Sequence, residues 1–138
     1  MNLIDFIVCD DVRQEIGGKP SLMGVYNNLV LSLPPGTESF TWPFPLKLAF
    51  VIRCQIEAEE ARPDFFRVEF IQNGRTFTHV EGGTSIPENI TMFSLFVVHN
   101  AFPIAGLGPI HFRVIFRRGE EPIQELEPPY FLNVELAP

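Results

Sequence analysis

Asp10, Asp11 and Glu15, with Arg13 among them, form the most distinctive run in the chain, VCDDVRQEIGGKPSLMGVY, from Val8 to Tyr26. Three carboxylates so close together raise the question of a metal. Calcium asks for six to eight oxygens from a curved loop, with carboxylates at alternating positions and a glycine at the turn. DDVRQE lacks that spacing and contains its own competing cation, Arg13. The expectation is a polar structural corner, its charges pairing with Arg13 or Lys19 for little stabilisation.

The other chemistry-bearing residues are scattered. His79, His99 and His111 fall in separate segments with no HxH or HxxxH pair, and neither cysteine stands at ligand spacing from a histidine. Cys54 is centred in an apolar run, where burial raises a thiol's pKa, and Cys9 precedes two carboxylates that disfavour a thiolate. Ser85 and Ser94 lie outside any GxSxG elbow. Gly106-Leu107-Gly108 lacks the third glycine and the following helix of a dinucleotide loop, and Pro109 intrudes. These residues give no catalytic, metal or cofactor set.

Contact with other molecules is better served by FTWPF. Phe40, Trp42 and Phe44 sit among prolines, and a stiffened aromatic loop loses little entropy on binding a partner or a flat ligand such as a sugar. The competing and favoured reading folds the same rings back as a plug on the open end of the fold. Edge strands such as VRQEI or PIQEL offer a second route, pairing with another chain by sheet extension.

Composition narrows the partners. The net charge of −7 repels phosphate backbones and anionic membrane surfaces, so neither nucleic acid nor membrane is expected. No apolar run approaches the ~20 residues of a membrane helix. MNLIDFIVCDD has no basic region and reaches Asp5 before a signal-like run develops. Two cysteines without CxxC spacing are expected as reduced, buried thiols, and the cytoplasm is the expected compartment. Among 138 residues are 14 Phe but only 2 Tyr and 1 Trp, which suits a dry interior with few polar atoms to satisfy.

The elements that carry these residues read as strands. Thirteen prolines and 10 glycines leave few windows for three helical turns. Between them the apolar residues alternate with period two. Leu48, Phe50, Ile52, Cys54 and Ile56 share one face; Phe66, Val68 and Phe70 share another; Phe112, Val114 and Phe116 a third. Asn73-Gly74 between two such runs marks a hairpin. TMFSLFVVHN, apolar on both faces, is expected as a central strand covered on both sides. Gly17-Gly18 suggests a two-residue turn pairing Val12 with Met23, Gln14 with Ser21 and Ile16 with Lys19. The rival reading makes Asp11 a helix N-cap completed by Gln14. Residues 1–138 are thus expected as one all-β domain, a two-sheet antiparallel β-sandwich of immunoglobulin-like type with about eight to ten strands.

The opening stretch also resembles the leading signature of a family of small bacterial proteins of unknown function. Those begin with an apolar strand, an acidic pair, Gly-Lys, and a Gly-Val-Tyr or Gly-Val-Phe strand end, matched here by Asp10, Asp11, Gly18, Lys19, Gly24, Val25 and Tyr26. The likeness covers the first thirty residues and implies a bacterial cytosolic β domain; it supplies no activity. The functional expectation is a non-enzymatic protein-interaction or structural module, with small-ligand or carbohydrate binding through Phe40–Phe44 as the alternative.

Overall fold

Alternation of apolar and polar residues builds strands that bury one face, and two such faces need each other. In the computed structural model, which describes residues 1–37 and 42–138, this yields an all-β, sandwich-like fold of eleven strands. They are β1 (Asn2–Cys9), β2 (Asp11–Gln14), β3 (Pro20–Met23), β4 (Val30–Leu33), β5 (Phe44–Gln55) and β6 (Phe65–Gln72). The remainder are β7 (Arg75–Gly83), β8 (Met92–Ile104), β9 (Gly108–Arg118), β10 (Glu121–Leu126) and β11 (Leu132–Leu136). The smaller sheet runs β1-β5-β8. The larger runs β4-β11-β9-β6-β7, with β10 added to β9, and β2-β3 form a separate hairpin.

Eleven strands exceed the expected eight to ten, the unexpected one being β4, which spans only four residues, too few to establish a period. The pairing is also not purely antiparallel: β4 lies parallel to β11, with Val30 beside Asn133 and Leu33 beside Leu136.

The core follows the predicted alternation. Leu48, Phe50, Ile52 and Cys54 of β5 are fully buried, facing Val68 and Phe70 of β6 and Val114 and Phe116 of β9. Phe50 is the hub. Its ring lies 4.8 Å from Phe70, 5.7 Å from Phe102, 6.0 Å from Phe6 and 6.2 Å from Phe112, in tilted or edge-on arrangements that suit aromatic quadrupoles. The outer face of the larger sheet is charged instead. Arg113 of β9, directly opposite Glu69 of β6, pairs with it at 3.3 Å and with Glu127 at 3.1 Å.

Two hairpins test the turn chemistry. Asn73 and Gly74 adopt φ of 53° and 74°, and Gln72 pairs with Arg75 across them as expected. The β2-β3 hairpin also forms, but its register differs by one residue from the expected one. Val12 faces Leu22, Gln14 faces Pro20, and the Glu15 N–H donates to the Lys19 carbonyl at 2.7 Å. The loop is therefore Ile16-Gly17-Gly18, three residues rather than two, with φ of 85° and 73° at the glycines. That leaves Ile16 99% exposed at the tip. No helix starts at Asp11.

TMFSLFVVHN departs most from expectation. It forms most of β8, which is an edge strand and not a central one. Near its end, Leu48 faces His99 and Leu46 faces Phe102, so β8 carries an extra residue there. This bulge reverses which residues point inward, from Val97 to Phe102 and Ile104.

Truncating the hub tests this core. Phe50→Ala should cost about 3–5 kcal/mol in urea unfolding, through lost transfer energy and the cavity left behind. Phe50→Leu should cost clearly less, and equal losses for the two would contradict a tightly packed aromatic centre.

Candidate functional site

The acidic run resolves into a corner where the chain leaves β1 and enters β2. The Asp10 N–H donates to the carbonyls of Met23 and Gly24 at 2.9 and 3.2 Å, and the Tyr26 N–H to that of Val8 at 2.9 Å. The Tyr26 hydroxyl donates to Asp10 Oδ1 at 2.6 Å. Gly24 is required here. Its φ is +65°, and a Cβ would stand 2.1 Å from Asp10 Oδ2. The Asp-Asp and Gly-Val-Tyr elements of the signature thus hold one another, which is a structural role.

Partners differ from those expected. Asp11 Oδ2 pairs with Lys47 Nζ at 3.1 Å, not with Arg13 or Lys19. The Lys47 bond, then the Val12 N–H and more weakly the charge of Arg13, hold the Asp11 carboxyl below its ordinary pKa. Arg13 and Glu15 point from the exposed half of the hairpin. Sequence proximity misled because the pairing is non-local: Asp11 on β2 meets Lys47 of β5, 36 positions away in the sequence.

Nothing at this corner is primed as a nucleophile. Burial, then the Asp10 charge, push the Cys9 thiol above its ordinary pKa, and its Sγ lies 3.5 Å from the Asp11 carbonyl. Burial pushes Cys54 up to about 12. The two thiols are buried and unpaired. Among the described residues no group of three or more His, Cys, Asp or Glu gathers closely enough to hold a metal ion. The histidines stay apart. His79 lies 4.0 Å from Glu81, His111 packs on Phe131, and His99 Nδ1 accepts the Ala101 N–H at 3.3 Å, fixing the β8 bulge.

Trp42 and Phe44 are half-buried and pack against the core. Phe40 lies outside the described residues.

Sequence reasoning missed the outer face of the smaller sheet. Residues in register form rows across it: Cys9, Ala49 and Val98; Ile7, Val51 and Phe96; Asp5, Arg53 and Ser94. The third row is closed by an Arg53–Asp5 ion pair at 3.0 Å, and the first two are apolar. The β2-β3 hairpin lies over them and buries Cys9, Ala49 and Val51, but Phe96 and Val98 remain 38% and 42% exposed. Between hairpin and sheet runs an open groove of about 570 Å³ lined by Ile7, Pro20, Leu22, Val51 and Phe96, among others.

Beside this face lies the free edge of β8, which among the described residues pairs with β5 alone. Other margins are guarded. The Tyr130 hydroxyl accepts the Phe6 N–H at 2.8 Å and donates to the Phe6 carbonyl at 2.9 Å, standing in for a strand beside β1. β7 carries Arg75, His79 and Glu81; β10 carries Glu121, Pro122 and Glu125; β4 is short. β8 has 13 residues, MFSLFVVHNAFPI, with no Asp, Glu, Lys or Arg. Its one proline, Pro103, sits at the far end opposite Pro45. The edges singled out from sequence, VRQEI and PIQEL, are the short β2 and the charged β10.

Comparison of the chain with protein-family models gave no match, nor did comparison with the curated proteins. The likeness of the opening stretch to a bacterial family therefore stands as a resemblance. No helix among the described residues is long and apolar enough to cross a membrane.

Two substitutions test these assignments. Gly24→Ala should cost about 1–2 kcal/mol in urea unfolding, since it strains the backbone and pushes Asp10 away from Tyr26. An unchanged midpoint would contradict the corner. For His99, burial lowers the folded-state pKa, so the unfolded chain binds the proton more readily. The stability involved is complete above the ordinary value of about 6.5 and declines as pH falls from there through the depressed folded value. The Tm of the parent should fall over that window more than the Tm of His99→Gln, whose amide oxygen can still accept the Ala101 N–H. Parallel pH profiles would contradict the assignment.

Proposed function

We propose that this chain is a non-enzymatic, immunoglobulin-like interaction module of the cytoplasm that binds polypeptide by strand addition at β8. The observation that carries the reading is the long, uncharged, one-sided edge of β8 beside exposed Phe96 and Val98. In strand addition, main-chain hydrogen bonds supply affinity and alternate side chains supply specificity. An incoming strand would meet free N–H and C=O groups along the edge and an apolar floor on the outer face. The neighbouring groove offers room for its larger side chains.

Sheet order supports the same reading. The orders β1-β5-β8 and β11-β9-β6-β7 follow the A-B-E and G-F-C-C′ orders of immunoglobulin sandwiches. In the constant type a further strand, D, covers E. Here the segment between β7 and β8, Thr84–Thr91, forms no strand. Arg62 holds part of it aside, donating to the carbonyls of Glu88 and Ile90 at 2.9 and 3.0 Å. The position of the missing strand is the position offered to a partner. Fold likeness alone assigns no function, so the weight rests on the edge itself.

Buried, unpaired Cys9 and Cys54 suit a reducing compartment. Raised thiol pKa values and the engagement of the Asp10 and Asp11 carboxylates by Tyr26 and Lys47 support the non-enzymatic part. Carbohydrate binding through Phe40–Phe44 has less support, since Trp42 and Phe44 pack inward.

Amide hydrogen exchange tests the reading. In dilute pure protein the outward-facing amides of β8 should exchange fast. They should slow when the protein is concentrated or when native-host lysate proteins are added, while β1 amides stay unchanged. Fast exchange under all three conditions would overturn the proposal, as would slow exchange in the dilute protein.

A further inference from the structure

We infer that the strand added at β8 is β8 of a second copy, running antiparallel about a two-fold axis and joining two small sheets into one, β1-β5-β8-β8-β5-β1. This names the polypeptide that the reading above leaves open, and it rests on that reading.

The first argument is charge. In an isologous antiparallel pair, a residue near the axis faces itself or a close neighbour in the other copy. A charge placed there meets its own image, and like charges directly opposite one another are destabilising. Charged residues make up 20% of the chain, so a 13-residue strand would carry about two or three; β8 carries none. A partner of different sequence would have no need of such neutrality, since opposite charges could then pair across the edge.

The second argument is register. Side chains of β8 alternate between Val97 on the core side and Phe96 and Val98 on the outer face. Centring the two-fold on Val97 sets Phe96 of each copy against Val98 of the other, and Val97 against its image. At the centre, apolar residues then meet apolar residues on both faces of the joined sheet, and further out Ser94 meets Asn100. The two side chains left most open beside the hairpin cover each other, which also accounts for a strand that reads as central in sequence but stands at an edge in the isolated chain.

Acidic chains repel, so with a net charge of −7 each the association should strengthen as salt screens that repulsion.

Sedimentation velocity over a concentration series, with folding checked by circular dichroism, tests the inference. The parent chain should pass from monomer to dimer, and more readily at higher salt. Phe96→Lys with Val98→Lys, and separately Phe96→Glu with Val98→Glu, should each weaken self-association by about tenfold or more while remaining folded. Mixing the two double variants should restore a dimer containing one of each. A parent that stays monomeric at every concentration overturns the inference, as does a dimer indifferent to both double variants. If the parent stays monomeric while lysate proteins still slow β8 exchange, the second copy is excluded and strand addition stands. If neither concentration nor lysate slows it, both fall.

Discussion

Every backbone N–H and C=O at the margin of a sheet must find a partner or water, and this requirement organises the molecule more than any side-chain chemistry does. The margins solve it differently. On β1, a single phenol takes both roles of a missing strand at Phe6. At β4 the chain inserts a short parallel strand along β11, so the last residues of the fold do not end the sheet. On β7 and β10, charged residues make pairing with another chain unfavourable. Only along β8 is the edge both long and neutral among the described residues. The functional reading follows from that unequal treatment.

The interior explains why so much can be spent on edges. Mutual contact among Phe6, Phe50, Phe70, Phe102 and Phe112 joins both sheets through rings with no polar atom to satisfy. The aromatic centre therefore contains no hydroxyl or charge, and the carboxylates and guanidinium groups lie outside it. On the larger sheet they form cross-strand pairs such as Glu69 with Arg113. On the smaller sheet two rows of the outer face are left apolar and are partly roofed by the β2-β3 hairpin. That roof is anchored by the corner at Asp10, where Tyr26, Gly24 and the β1 backbone meet. The acidic signature therefore acts on the exposed face indirectly, by fixing the hairpin that borders it.

Much of this was legible in the sequence. Alternation placed Phe50, Val68, Phe70, Val114 and Phe116 in the core, because burial on one face leaves a period of two that no other element mimics. Asn73-Gly74 located its hairpin because both residues accept positive φ. What the sequence did not carry was pairing at a distance. Lys47 as the partner of Asp11 depends on β2 crossing the end of β5, and no local pattern encodes that. The register of the β2-β3 hairpin was missed by one residue, since either glycine can occupy a positive-φ position and the apolar residues nearby pair acceptably both ways.

The error over β8 is of another kind. Its residues follow the rule for a strand covered on both sides, and the isolated fold leaves one side and part of one face uncovered. Local rules tend to fail where a protein's own chain does not supply the environment its sequence anticipates. A 13-residue neutral edge invites promiscuous pairing, a hazard that β7 and β10 avoid with charge. The net charge of −7 supplies a long-range counterweight, since like-charged chains repel at distances beyond the reach of backbone hydrogen bonds and apolar contact. Selectivity then comes from the combination. General repulsion discourages casual contact, and under the strand-addition proposal the one long neutral edge among the described residues is where contact is allowed.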